Sequence, residues 1–147
     1  MLKLSMEYFR TMSLDLGEVR IGIALSDIMN IIANGLETYN RQSIEKDVEH
    51  IANLVKEYSV KVIVLGLPIN MDGTKGERVE KTYAFAEELK KVVDCKIEYM
   101  DERLTTVTAE RVLIDGNVRR EKRKQVIDKL AATIILQSYL DMKSKEY

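Results

Sequence analysis

The stretch MSLDLGEVRIGIALSD, Met12 to Asp27, decides the fold. Apolar and polar residues alternate on both sides of GEVR, the pattern of two strands, and Gly17 is the turn residue between them. The spacing predicts strands over residues 10–16 and 20–26 joined as a tight hairpin. Asp15 stands between Leu14 and Leu16, directly before Leu16-Gly17. A carboxylate at the end of a strand built for a core needs a reason, because burying an isolated charge is costly.

Downstream, residues 31–40 (IIANGLETYN) read as a weaker third strand, with Asn34-Gly35 marking a turn or bulge. Ser43 has the chemistry of an N-cap for a helix whose apolar stripe is Ile44, Val48, Ile51, Ala52, Val55 and Tyr58. VKVIVLGLP, Val60 to Pro68, is a nearly continuous β-branched run, the mark of a parallel strand covered on both faces. Pro68, the only proline, ends it. A second helix over 77–93 places Val79, Ala86, Leu89 and Val93 on one face. CKIEYM (95–100) is a short strand, Thr105 or Thr106 caps a third helix that stops at Gly116, and a last helix spans 123–142. The order β-β-β-α-β-α-β-α-α predicts one α/β domain: a mixed five-stranded sheet with helices on both faces.

Composition narrows the chemistry. With 147 residues, 46% of them hydrophobic, the chain suits one soluble domain. No apolar run approaches a membrane span, and MLKLSMEYFR lacks a signal-peptide core, so a cytoplasmic protein with no membrane partner is expected. Cys95 and His50 are each the only residue of their kind, which excludes cysteine-rich zinc and multi-histidine sites. His50, off the main apolar stripe of its helix, reads as a solvated surface residue. A net charge of −1 gives no global case for nucleic acid, yet RREKRK (119–124) sets five cations around one glutamate.

Three acids stand where acid is awkward: Asp15 in its strand, Glu102 after Asp101 at the end of IEYM, and Asp128 in VIDKLAATIILQ. Asp128 shares its helix face with Ala131, Ala132 and Ile135, small enough for close approach to a sheet. In an α/β sheet, ligands gather outside the carboxyl ends of parallel strands. With strand one between the other two, the three carboxylates surround one pocket. Converging carboxylates without histidine or cysteine suit a hard cation, Mg²⁺ or Mn²⁺, of the kind that serves phosphoryl transfer.

Four blocks, LDLGEVRIGIALSD, VLGLPINMDGTKGERVEKTYAFAEEL, MDERLTTVTAERVL and RKQVIDKLAATIILQSYLD, resemble in order and spacing the YqgF/RuvX family of RuvC-like, RNase H-fold nucleases. The resemblance covers residues 10–142, leaving 1–9 as an N-terminal extension and 143–147 as a tail. It implies a nuclease that matures the 5′ end of pre-16S ribosomal RNA, in a family earlier described as Holliday junction resolvase homologues. Asp15 matches the family's strand-one aspartate, Glu102 the glutamate of DER, and Asp128 the aspartate of D-x-L-A-A. These are the candidate catalytic residues and metal ligands, and the preference for Glu102 over Asp101 rests on the match. Asp15 then interrupts a core strand to present a carboxylate from the most rigid part of the fold, and Gly17 keeps the backbone beside it slim enough for a phosphate.

Around them, GLPINMDGTKGER is a strand-loop-helix junction whose helix N-terminus, Asn70, Lys75 and Arg78 suit contacts to a phosphate backbone. Arg20 and Arg103 either steady a phosphate or pair with a neighbouring acid. Arg119, Arg120, Lys122, Arg123 and Lys124 would position phosphates without reading sequence. No aromatic cluster suggests base stacking. The expected partner is nucleic acid, pre-16S RNA first and a DNA junction second, with the oligomeric state open. An actin-type ATPase shares the D-x-G hairpin but needs two such domains, and a non-catalytic RNA-binding assembly factor would gain nothing from acids facing phosphates.

Overall fold

The structure, a computed structural model, describes residues 8–102 and 120–145, with side chains of the last helix from Asp128 onward. Three strands open the chain: β1 (Arg10–Leu16), β2 (Arg20–Ser26) and β3 (Ala33–Asn40). Then α1 (Ile44–Tyr58), β4 (Val60–Leu67), α2 (Glu77–Lys90), β5 (Lys96–Asp101) and α3 (Arg120–Ser144) follow. The sheet order is β3-β2-β1-β4-β5, antiparallel through the first three strands and parallel from β1 to β5. The expected mixed five-stranded sheet is therefore present. The helix expected between Thr105 and Gly116 lies outside the described residues.

Local chemistry explains most boundaries. The Gly17 amide donates to the Arg20 carbonyl at 2.8 Å, and a Cβ on Gly17 would stand 2.7 Å from that oxygen. The turn itself therefore requires this glycine, a nearer reason than room for a phosphate. β3 starts at Ala33, because the amides of Ile31 and Ile32 donate to Asp27 Oδ1 instead of to a strand partner. Its expected irregularity is a register shift opposite Ile23/Ala24, which pair with Glu37 and Gly35. Ser43 caps α1, accepting from the Lys46 amide at 3.2 Å.

Two corrections fall on α1. Its buried face is Asp47, Val48, Ile51 and Leu54, while Ile44 stays largely open. His50 is only half-exposed: its ring stacks on Tyr39 at 4.2 Å, and Nε2 lies 2.6 Å from Glu37 Oε2.

The sheet separates two cores. Met12, Leu14, Ile21, Ile23, Ile63 and Leu65 face α1 and α2, where Ile51, Phe85 and Leu89 close on them. On the other face Ala24 and Val64 meet Ala132, Ile135, Leu136 and Tyr139 of α3. There Ser13 Oγ donates to the Ala132 carbonyl at 2.6 Å, so helix backbone touches strand side chain. Among the described residues no helix is long and apolar enough to cross a membrane.

Candidate active site

The carboxyl ends of β1, β4 and β5 lie along one edge of the sheet. The strand between the two acid-bearing strands is β4, not β1. Asp15 at the end of β1 and Glu102 just past β5 must therefore reach each other over β4, and they do, since their carboxyl groups are hydrogen-bonded. Gly66 makes this possible. A Cβ there would overlap Glu102 Oε2 and stand 2.7 Å from Ile135 Cδ1. The Glu102 amide, donating to the Leu67 carbonyl at 3.1 Å, fixes the acid at the strand end.

Asp128 arrives from α3 by an equally tight fit. Gly22, the cross-strand partner of Asp15, lies so close to α3 that any Cβ would overlap the Asp128 carbonyl. The Asp128 charge is felt at Asp15, but its carboxylate is held by Arg20, whose Nε stands 2.8 Å from Oδ2. Of the two roles open to Arg20, pairing with a neighbouring acid is the one observed. Among the described residues no three histidine, cysteine or acidic side chains are grouped closely enough to ligate one ion.

The electrostatics follow from crowding. Burial, then the charge of Glu102 and the hydrogen bond to it, then Asp128, push Asp15 well above the usual carboxylate range, against a pull from Arg78. Burial raises Glu102 too, while the hydrogen bond from Asp15 and the charge of Arg78 draw it back. Asp15 is thus raised the more strongly of the two, by burial and by the acids beside it. Two desolvated carboxyl groups with only oxygen donors suit a hard divalent cation. The donor chemistry of Asp15 and Glu102 fits such an ion, with Asp128 adjacent.

Arg78, in the first turn of α2, adds positive charge beside the acids, as its placement after GLPINMDGTKGE suggests. The N-cap of α2 is Gly76, which bonds no first-turn amide through a side chain, while the Val79 amide donates to its carbonyl at 3.2 Å. Asn70 is engaged in its own loop: Nδ2 donates to Thr74 Oγ1 at 2.9 Å, and its backbone bonds Thr74 and Gly73. Lys75 is exposed in the same loop. Arg103 and Arg119 lie outside the described residues, as do the side chains of Arg120, Lys122, Arg123 and Lys124.

Sequence reasoning missed Gly22 and Gly66, which admit Asp128 and Glu102. A glycine inside a strand pattern signals close approach of another group, and both lie in strands that were recognised. Alanines on α3 gave half of that contact, and the glycines supply the other half.

A sheet of this order, with acids at the carboxyl ends of the first and last of its parallel strands, is the RNase H-like fold of RuvC-type nucleases. The solved RuvC of Thermus thermophilus, in complex with a Holliday junction substrate, superposes with a TM-score of 0.59 over 93% of this chain and 96% of its own, at 9% identity. Residues 9–142 match the family described as RuvX: Holliday junction resolvase, and the chain belongs to that family. A relative from Halalkalibacterium halodurans is 54% identical over 90% of this chain and 96% of its own. One from Desulforamulus reducens is 51% identical over 92% and 99%. Both carry the name "Putative pre-16S rRNA nuclease".

Proposed function

We propose that this protein is a divalent-metal-dependent nuclease acting on the 5′ end of pre-16S ribosomal RNA. The observation that supports the reading is the meeting of Asp15 and Glu102 over Gly66 at the carboxyl edge of the sheet. The names of its relatives support that choice of substrate. Asp15 and Glu102 would hold Mg²⁺ or Mn²⁺, with Asp128 available once Arg20 releases it. A bound divalent cation supplies positive charge to a phosphate under attack and acidifies water. Holding it would require both acids in their deprotonated form. Arg78, in the first turn of α2, would orient the phosphate, and the β1 and β5 ends hold the acids in place while it reacts. The basic run at 119–124 would position more of the backbone, with affinity that falls steeply as salt rises.

The test is cleavage of end-labelled 16S precursor RNA with Mg²⁺ or Mn²⁺ by wild-type protein and Asp15→Asn. Loss of about a thousandfold or more in the variant, with circular dichroism unchanged, is the expected result. Retained cleavage would sink the assignment. A four-way DNA junction belongs in the same assay, because the family description names Holliday junctions. Asp15-dependent cleavage of that substrate alone would move the reading to DNA.

A further inference from the structure

Arg78 faces two ways. On the side away from α3, the β1–β2 turn, the start of α1 and the outer face of α2 enclose a cavity of about 670 Å³. That is the size of a small-molecule site. Arg41, Arg78 and Lys81 bring three cations to it against the two acids Glu18 and Asp47, and Val19, Ile44 and Ala84 give it apolar walls.

Its floor is braced. Arg41 Nε stands 2.9 Å from Oδ2 of the fully buried Asp47, Nη1 donates to the Gly17 carbonyl at 2.9 Å, and the guanidinium lies 5.5 Å over the Phe85 ring. The other Asp47 oxygen accepts from the Gln42 amide. Lys81 is held less firmly, 3.6 Å from Glu18 and 3.3 Å from Glu77, both well exposed, and such pairs exchange readily for a phosphate. At the mouth, Val19 is 63% and Ile44 44% exposed, two large apolar side chains facing solvent beside cations. Apolar flanks beside Arg78 and the loosely paired Lys81 match a ligand with a flat body and an anionic group. A nucleotide has both.

We infer that this cavity receives one unstacked nucleotide of the substrate strand next to the phosphate to be cut, its base against Val19 and Ile44 and its phosphate on Arg78 and Lys81. The inference rests on the nuclease reading, because Arg78 joins this cavity to the acid pair. It makes a single-stranded segment, not a continuous duplex, the preferred substrate beside the cut.

Binding without cleavage tests it. In EDTA, isotope-labelled protein is titrated with a short single-stranded RNA, with 5′-adenosine monophosphate and with inorganic phosphate, beside Ala84→Phe. Ala84 is exposed on α2, so the larger ring enters the cavity and leaves the core alone. RNA and the mononucleotide should shift the amide signals of Gly17, Gln42 and Ala84, and phosphate far less. Ala84→Phe should weaken RNA binding by about tenfold with an unchanged melting curve. Mononucleotide binding without RNA binding would mean a site for free nucleotide and overturn the substrate-strand assignment. Phosphate acting as strongly as the mononucleotide, or full RNA affinity in Ala84→Phe, would overturn it as well. A wild-type protein that binds RNA here yet never cleaves it would refute the nuclease reading and leave the cavity as an RNA site.

Discussion

Toward α1 and α2, strands β1, β2 and β4 present Leu14, Ile21, Ile23 and Leu65, all fully buried; toward α3 the same strands present Ser13, Asp15, Gly22 and Gly66. The bulky face is a conventional core, filled by branched side chains that exclude water. The small face gives up that volume so that α3 comes down to backbone distance. This approach brings Asp128 over Gly22, and the gap left at Gly66 admits Glu102. The larger core therefore lies on one side of the sheet and the candidate acids on the other, with β1 serving both.

The sharpest way to break the comparison is to add one methyl group to the small face and remove one from the bulky face. Gly22→Ala sets a Cβ against the Asp128 backbone, which no rotamer change relieves. A loss of about 3 kcal/mol or more is expected in urea denaturation. Ile23→Val, the next residue in the chain but facing the other core, should lose only about 1 kcal/mol. Equal losses would mean that α3 is not packed as closely as Gly22 requires.

A smaller effect is expected one strand over. In Gly66→Ala the new Cβ meets the end of the Glu102 side chain and Ile135 Cδ1 at 2.7 Å, both able to give. About 1–2 kcal/mol of stability should be lost. Cleavage should fall much further than stability, since the displaced group is one of the paired acids. Activity that follows only the folded fraction would remove Gly66 from the site.

These glycines also show where the sequence was legible. Hairpin, parallel run and helix caps are local patterns, and Gly17, Ser43 and Pro68 mark boundaries at which the elements do turn, start and stop. Asp15 was conspicuous because a strand seldom carries an acid beside its core. The position of β4 between the acid-bearing strands was not legible, because strand order depends on which crossovers pack, not on any residue's neighbours. Arg20 was ambiguous for a similar reason: its partner Asp128 is distant along the chain and meets it only after α3 docks. The cavity bounded by Arg41 and Lys81 draws on three separate elements and leaves no motif at all.

Asp15→Asn distinguishes the two faces by sign. Burial and the neighbouring acids raise Asp15 when folded. An acid raised on folding adds stability that is fully present below its unfolded value of about 4 and is lost as pH rises through the folded value. The metal-free protein should therefore carry a penalty at neutral pH that Asn, always neutral, does not. Thermal melts in EDTA should show the variant more stable than wild type at pH 7, with the two converging in acid. No substitution toward polarity on the bulky face would stabilise. A less stable Asp15→Asn protein at pH 7 would contradict the buried, repelled state of the pair.

The smallest effect tests what links the faces to the ion. Arg20 and Asp128 are 2.8 Å apart but 26% and 24% exposed, so solvent screens their attraction. Removing the charge with Arg20→Gln should lower stability in EDTA by less than about 1 kcal/mol, and by less still in high salt. The informative quantity is how that loss changes when Mg²⁺ is added. Arg20 is the positive charge that compensates Asp128; an ion held by the proposed acid site would supply compensation in its place. Stabilisation by a bound ion grows with its affinity for the folded state. Mg²⁺ should therefore stabilise Arg20→Gln more than wild type, narrowing or closing the gap between them. A gap that is the same with and without Mg²⁺ would mean that Asp128 stays with Arg20 throughout, and that Asp15 and Glu102 hold the ion without it.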